Sequence, residues 1–492
     1  MAAAVERGPA GWRISPVVKG ISIDSRGVRP GEVFIAIPGA SHDGHQFVQQ
    51  AIALGAVAVI GERPGLQLPV PYVEVSSSRI AAAELADLFY GHPSHAVDCI
   101  AVTGTNGKTS VVYWLTHVMR QANLTTGMIS SVVNDTGSRL HPARLTTPES
   151  PELQQLLAEM RDAHVTHAVV EVSSHGIVQH RIRDVRFEAA ILTNITREHL
   201  DFHGTMERYV NAKSRLFEEL PAEGLGILNA DDEYYDVIRQ RITASQISYG
   251  IDAGEVRAQV LDDEPWSTKI RIMHPSFDGE VTIPHPGRYN VYNVLAVATT
   301  AFWLGISPDT ILHAIGTLPA VPGRMHVMQR DTSPMVIVDY AHTPDGLLQV
   351  LKAVRKLGRD QVWLVFGARG GRDRGKRPEM GSIAAKWADH VVLTTDSPYN
   401  EDPLEIAGQL AEGIRLVAPE VLYQVELDRR QAIHVAIQSA KASDIVIITG
   451  RGPESTQYLG DRSVRLVDAE VVQEYLGLNA AKQEGSHAGG IG

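Results

Sequence analysis

Short apolar runs, each closed by a polar or glycine-rich cluster and followed by a segment of helical spacing, recur along most of the chain. That alternation predicts an α/β fold. Residues 15 to about 95 read as a small α/β unit, with strand-like runs at 32–37 and 56–60 and helical spacing over 47–54. Gly91-His92-Pro93-Ser94 reads as a linker. In the second unit, apolar runs at 100–102, 167–172, 189–193 and 224–228 alternate with helical segments, which predicts a parallel, doubly wound sheet. Between 245 and 284 the pattern becomes a polar/apolar alternation, clearest at 268–272, and predicts a short antiparallel insert. A helical stretch at 291–304 closes the unit and 319–323 ends it. The third unit has strand-like runs at 335–338, 362–366, 390–393 and 444–448, each ending in a polar cluster: 339–342, 367–374, 394–397 and 450–454. Ligands bind at the C-terminal ends of strands in open α/β sheets, so these clusters predict a crevice. The expected units are 1–96, 97–331 and 332–478, followed by a small, polar tail, 479–492, expected to be disordered.

Composition narrows the class. The chain has 492 residues, 44% of them apolar, which is enough for several packed cores. Its net charge of −12 argues against nucleic acid as the main partner, while leaving room for local basic pockets. The single cysteine, Cys99, excludes an internal disulfide and reads as a small buried apolar residue, which fits a reducing compartment. The first thirteen residues lack a signal-peptide core, and no run of 18 apolar residues occurs. A cytoplasmic protein without a membrane span is expected.

Ile100-Ala101-Val102-Thr103-Gly104-Thr105-Asn106-Gly107-Lys108-Thr109-Ser110 carries the clearest chemistry. An apolar strand runs into a Gly-rich turn, and Lys108 and Thr109 open a helical segment. Backbone N–H groups in such a turn wrap phosphate oxygens, Lys108 neutralises charge, and the Thr109 hydroxyl can hold Mg²⁺. Val102 stands where the usual phosphate-loop pattern has its first Gly, so an ordinary Gly-rich strand–helix turn is the competing reading. Glu171 ends the run at 167–172, where a carboxylate can reach Mg²⁺ near Thr109; a solvated strand-end Glu is the alternative. TNITREHLDFHG, 193–204, crowds His199 and His203 with carboxyl and amide groups, but Gly204 argues against a regular helix and no zinc pattern is evident. A Mg²⁺ or phosphate contact is the better reading. Lys213 by itself is an ordinary helix lysine, and Asn229-Ala230-Asp231-Asp232 is by default a helix cap.

Taken in order, these segments resemble the Mur ligase family. TGTNGKT at 103–109 looks like its ATP loop, in which the missing Gly is normal. EVSSHGIVQHR at 171–181 is similar to the members that add the third residue of the peptidoglycan stem peptide. TNITREHLDFHG, the YxxAK-type segment ending at Lys213, GRYNVYN at 287–293, GRMHV at 323–327, DYAHTPD at 339–345 and GKRPEMG at 375–381 fit as well. The likeness covers roughly residues 20–475. It implies three domains: a small N-terminal α/β domain for the UDP end of the substrate, a central P-loop-like ATP-binding domain, and a C-terminal Rossmann-like domain for the amino acid. The implied reaction joins a diamino acid to UDP-MurNAc-L-Ala-D-Glu, with ATP and Mg²⁺, through an acyl phosphate, in a chain expected to be a monomer.

The same resemblance implies roles for single residues. Gly104, Thr105, Asn106, Gly107, Lys108, Thr109 and Ser110 hold ATP phosphates; Asn290 or Asn293 meets adenine, Arg324 a phosphate and Asp339 the ribose. Thr109, Glu171 and His199 are the Mg²⁺ ligands, and Lys213 matches a lysine carried as a carbamate. Lys108, Glu171, His199 and Lys213 form the catalytic set. Ile23, Ser25, Ala40, Ser41, His42, Thr146, Thr147, Ser173, Gln179 and Arg181 match positions for the UDP-sugar-peptide. Arg372, Asp396, Ser397, Pro398, Tyr399, Gly450 and Glu454 match positions for the amino acid. Two segments depart from the family. Members that add meso-diaminopimelate carry Asp-Asn-Pro-Arg where this chain reads Asp396-Ser397-Pro398-Tyr399, and GKGHE reads Gly450-Arg451-Gly452-Pro453-Glu454. Tyr399 cannot make a bidentate charged pair with a carboxylate. This favours L-lysine or another diamino acid without a distal carboxylate, with Arg369 or Arg451 as the residues that could restore the missing charge. Relatives with another acceptor (a folate or D-Ala-D-Ala) should lack the EVSSHGIVQHR and Asp24-Ser25-Arg26 context. A non-catalytic paralogue should have lost Lys108, Glu171, His199 or Lys213. Neither loss is seen.

Overall fold

The structure is a computed structural model that describes residues 17–39, 42–329, 334–418 and 421–477. Ala40, Ser41 and the expected tail at 479–492 lie outside the described residues. The first unit is a four-stranded parallel sheet in the order Gly20–Ser22, Glu32–Ile35, Ala58–Gly61, Tyr72–Glu74. Alternate residues of its strands feed two cores, Phe34 and Val59 on one face, Ile35 and Ile60 on the other. The linker at 91–94 is held against the second unit: Ser94 Oγ accepts from the Arg186 N–H at 3.1 Å, and Arg161 donates to Tyr90 O at 2.7 Å.

The second unit is one eleven-stranded sheet. Its centre is parallel, in the order Ser245–Gly250, Leu225–Asn229, Phe187–Leu192, Asp98–Thr103, His167–Glu171, Thr126–Ile129. Helices cover both faces. Ile100 and Val102 point to the helices Lys108–Gln121 and Arg288–Trp303, while Cys99 and Ala101 point to Ser150–Asp162 and Met206–Glu218. Cys99 is a buried free thiol. The expected antiparallel strands are present over 256–283, and only the start of that expectation, at 245–250, needs correction. Ser245–Gly250 pairs parallel to Leu225–Asn229, and Val256–Glu264, Ser267–His274 and Phe277–Ile283 extend the same sheet as an antiparallel meander. The reason is burial: Ile270, Ile272 and Ile283 share one core with Val294, Leu295 and Ile311, so the meander is roofed by the helices that follow it.

The third sheet has six strands, ordered His326–Gln329, Met335–Val338, Ile445–Ile448, Val362–Phe366, His390–Leu393, Leu422–Val425. All pair in parallel except His326–Gln329, which lies antiparallel on the edge and starts this sheet upstream of residue 332. The four strands with polar C-terminal clusters are consecutive in this order, so the clusters share one sheet end. Helix Pro344–Arg355 is capped by Thr343, whose Oγ1 accepts from the Gly346 N–H at 3.0 Å. Thr343→Ala is expected to cost about 1 kcal/mol. Urea unfolding of the full chain checks this, and an unchanged midpoint contradicts it. Among the described residues no helix is long and apolar enough to cross a membrane.

Candidate active site

The phosphate loop is shaped by close packing. Gly104 has φ +147° and a Cβ there would sit 1.9 Å from Thr193 Oγ1; Gly107 has φ +86° and a Cβ would sit 2.3 Å from Asn293 Oδ1. Any side chain would break the turn, so glycine is required at both positions. Lys108 folds back over the loop and donates to Gly104 O at 3.0 Å and Thr105 O at 2.8 Å. Lys213, from helix Met206–Glu218, donates to the same Gly104 O at 2.7 Å and to Thr103 Oγ1 at 3.3 Å. Two lysines therefore share one carbonyl. Burial, then the Lys108 charge, holds the Lys213 amine well below its ordinary pKa.

Beside them, Thr109 Oγ1 donates to Glu171 Oε2 at 3.1 Å and Oε1 at 3.2 Å. Arg324 Nη2 donates to Thr109 Oγ1 at 3.0 Å, and the Ser131 N–H to Glu171 Oε2 at 2.9 Å. His199 stands at φ +57°, ahead of the single helical turn Leu200–His203 that Gly204 ends. Its Nδ1 is buried without a hydrogen-bond partner, and burial, then His175, holds the ring far below the ordinary histidine pKa. A hydroxyl, a carboxylate and a neutral imidazole with a free nitrogen suit a divalent cation that also takes phosphate oxygens. Among the described residues no three His, Cys, Asp or Glu side chains form a metal cage by themselves. His203 does not join His199: its Nε2 meets Ser174 Oγ at 3.0 Å.

A cavity of about 350 Å³ lies between the second and third units, and Asn106, Gly107, Asn290, Asn293, Arg324 and Asp339 all line it. Ser110 lines it too. Asn290 donates to Pro286 O at 2.7 Å and accepts from Asn293 Nδ2 at 3.2 Å. Asp339 accepts from the Met325 and Ala341 N–H groups, both at 2.7 Å, which leaves one lone pair on each oxygen. Trp114, stacked on His285 at 5.0 Å, adds an aromatic wall that the sequence reading missed. A tryptophan on the helix that opens at the phosphate loop was the available signal.

The residues matched to the UDP-sugar-peptide fall in two groups. Thr147 Oγ1 donates to Glu171 O at 3.0 Å and lies 3.1 Å from Ser173 Oγ. Arg181 donates to Thr147 O at 2.9 Å and Gln179 Oε1 at 2.7 Å, and half-buried Thr146 is adjacent in the chain. Glu149, another omission, pairs with Arg181 at 2.8 Å and with Arg79 of the first unit at 3.7 Å. In the first unit Ser25 Oγ donates to Gln50 Oε1 at 3.0 Å, Ile23 packs under the sheet and His42 is exposed.

The amino-acid positions gather at the third sheet's strand ends, except one. Ser397 Oγ accepts from Arg451 Nη1 and the Tyr458 N–H, both at 3.2 Å. Pro398 leads to Tyr399, which has φ +52° and stacks on Tyr458 at 5.3 Å. Gly450 (φ +108°) lies against Asp396, where a Cβ would sit 3.1 Å from Oδ2. Glu454 accepts from Tyr340 OH at 2.9 Å and pairs with Arg369. Arg372 is the exception, turned to Asp201 of the second unit at 3.5 Å. The seam also holds Arg197–Asp373 at 3.0 Å, the Asn106–Asp345 hydrogen bond at 3.0 Å, and a buried pair, Glu198–Lys376, at 3.0 Å. Glu198 and Lys376 lie inside the quoted motifs, but nothing in their spacing revealed the pair.

The histidines near the loop make stability depend on pH. His175 and His203 are each pushed down to about 4, by burial first, then by Arg372 and Lys213 respectively. Unfolded, each titrates near its ordinary value of about 6.5. The stabilisation is full above that value and is lost as pH falls toward 4. Calorimetry from about pH 7 to about pH 4 should show the thermal midpoint falling, and falling less in His203→Gln. Equal slopes for the two proteins would contradict this.

Three successive segments match known families: 17–90 the Mur ligase family, catalytic domain; 102–301 the Mur ligase middle domain; and 323–452 the Mur ligase, glutamate ligase domain. The UDP-N-acetylmuramoyl-L-alanyl-D-glutamate--2,6-diaminopimelate ligase of Caldanaerobacter subterraneus subsp. tengcongensis is 38% identical over 461 residues, covering 93% of this chain and 95% of that one. A solved structure of a ligase with the same name is 30% identical, with TM-score 0.62 over 94% of this chain and 95% of that one. The MurF ligase of Thermotoga maritima, solved in complex with ADP, shares the fold at 19% identity and TM-score 0.68, over 96% of this chain and all of that one.

Proposed function

Because the chain belongs to the Mur ligase family and is an ATP-dependent peptide ligase, we propose that it joins a diamino acid to UDP-MurNAc-L-Ala-D-Glu through an acyl phosphate. A carboxylate oxygen is a poor leaving group and phosphate a good one, so activation must precede amide formation. In this reading ATP occupies the cavity lined by Asn290, Asn293 and Arg324, with its γ-phosphate at the loop 104–109. The D-glutamyl carboxylate attacks the γ-phosphorus and ADP leaves. The amine then attacks the acyl carbon, and phosphate departs with the electrons of the C–O bond. Lys108 and the loop N–H groups hold charge on the phosphoryl group as it moves. Thr109, Glu171 and His199 would hold Mg²⁺, which supplies further neutralisation of phosphate charge when bound. In the same reading Arg181, which donates to Thr147 O and pairs with Glu149, takes a carboxylate or phosphate of the UDP-sugar-peptide.

The carrying observation is the Gly104 carbonyl shared by Lys108 and Lys213. A buried lysine whose amine is held well below its ordinary pKa beside a second lysine is suited to capture CO₂, which adds only to a free amine. Carbamate formation puts an anion that Lys108 attracts where a protonated Lys213 would be repelled. The reading is tested by phosphate release from ATP. Release should require both UDP-MurNAc-L-Ala-D-Glu and a diamino acid, and no release with any diamino acid overturns it.

A further inference from the structure

The strand ends of the third sheet hold a charge cluster that the reaction leaves half explained. Asp396 is 1% exposed, yet neither of its carboxylate oxygens accepts a hydrogen bond. Its nearest cations are Arg369 Nε at 3.4 Å and Arg451 Nη1 at 3.7 Å. Arg369 Nε also lacks a hydrogen-bond partner, while Arg369 Nη2 pairs with Glu454 Oε2. Arg451 Nε likewise has no hydrogen-bond partner, but Arg451 is fully buried and both its Nη groups are engaged, Nη1 with Ser397 Oγ at 3.2 Å and Nη2 with Leu466 O at 3.1 Å, whereas the Arg369 side chain is 19% exposed. A buried carboxylate without hydrogen bonds is costly, so Asp396 is compensated by the two guanidiniums alone, and Arg369, the more exposed of them, is the one open to a further partner.

The cluster lies one ring from the chemistry. The Arg324 guanidinium sits 4.4 Å over the Tyr340 ring, Tyr340 OH reaches Glu454, and Arg324 also touches Thr109. An amino acid whose α-amine attacks at the phosphate loop would extend its far end toward Glu454 and Arg369.

Charge balance selects that far end. Two guanidiniums, Arg369 and Arg451, face two carboxylates, Asp396 and Glu454, so the set has no surplus charge. A lone ammonium, such as that of L-lysine, would enter as an uncompensated cation beside two arginines. An end that carries both ammonium and carboxylate on one carbon enters neutral. Resting on the ligase reading above, we infer that Arg369 is the specificity-determining residue. It takes the distal carboxylate of a diamino diacid, while Glu454 takes the ammonium beside it. The internal Arg369–Glu454 pair is exchanged for two charge-assisted pairs with the ligand. Tyr399 cannot serve in this way, because its ring is stacked on Tyr458 and carries no charge. The preference for L-lysine or another diamino acid without a distal carboxylate, suggested by the departures at 396–399 and 450–454, is thereby reversed.

The test is phosphate release by the full chain at saturating ATP and UDP-MurNAc-L-Ala-D-Glu, with meso-diaminopimelate, L-lysine or L-ornithine as acceptor. The wild type should favour meso-diaminopimelate by about 10²-fold or more in kcat/KM, because a site built around a ligand group rejects analogues that lack it. Arg369→Ala should raise the KM for meso-diaminopimelate about 10²-fold, lower that for L-lysine by freeing Glu454, and leave the KM for ATP unchanged. Arg369→Lys should fall between, since lysine keeps the charge without the fork. Wild-type preference for L-lysine or L-ornithine overturns the inference, and this measurement does not depend on any variant folding. Equal loss for all three acceptors, with a raised KM for ATP, also overturns it, since that is a structural role. No release with any acceptor is a different result: it removes the ligase reading and this inference with it.

Discussion

Lys213→Ala is expected to lose about 10²–10³-fold in phosphate release, the scale for removing one preorganised charge from a reacting centre. Bicarbonate should not restore it, because no amine remains to capture CO₂. A short carboxylic acid such as acetate should restore part of it, by placing an anion in the vacated space beside Lys108. The side chain is buried among Thr103, Gly104 and Tyr209, with its nitrogen 4.9 Å over the Tyr209 ring, so Lys213→Met fills much of the volume without the charge and is the control for packing. Without added CO₂, wild-type activity should fall more steeply as pH is lowered, since protons drive the carbamate back to CO₂ and the amine, which is then protonated. Turnover like that of the wild type in Lys213→Ala would refute the role.

The second large effect concerns the seam between the two sheets. Glu198 and Lys376 are both buried, paired at 3.0 and 3.3 Å, and belong to different units. Removing one partner of a buried pair leaves a charge without compensation and costs about 3–5 kcal/mol. Because the pair joins two units, Lys376→Met should show that cost as lost kcat/KM and as a more open chain by small-angle scattering. Burial already raises the Glu198 pKa, so the Lys376→Met defect should shrink as pH is lowered and Glu198 takes up a proton. The double variant Glu198→Leu/Lys376→Met should be less impaired than either single one, because no orphan charge remains. Additive losses would contradict this account.

Much of the fold was legible because it rests on local pattern. The runs at 335–338, 362–366 and 390–393 match their strands end to end, since buried parallel strands are continuous apolar segments. The antiparallel strands at 256–283 were legible from their polar/apolar alternation, but that alternation reports one buried face and not that the strands extend the parallel sheet. The edge strand His326–Gln329 pairs with the strand after it, and its short mixed sequence shows no pattern. In the site, Lys108, Thr109 and Glu171 stood out from strand-to-helix order alone; Thr109 and Glu171 meet, and Lys108 folds onto the loop carbonyls beside them. Lys213 was not: a helix lysine looks solvated until the fold buries it on Gly104. The Glu198–Lys376 pair and the Arg369–Asp396–Glu454 cluster join positions far apart in sequence, and a charge alone does not announce its partner.

The central claim is that ATP activates a substrate carboxylate in this cleft and an amine captures it. UDP-MurNAc-L-Ala-D-Glu labelled with ¹⁸O in the D-glutamyl side-chain carboxylate tests it directly. An acyl phosphate transfers one ¹⁸O atom into each phosphate released, with the amide retaining the other. Phosphate released without label, while amide is formed, would contradict the account.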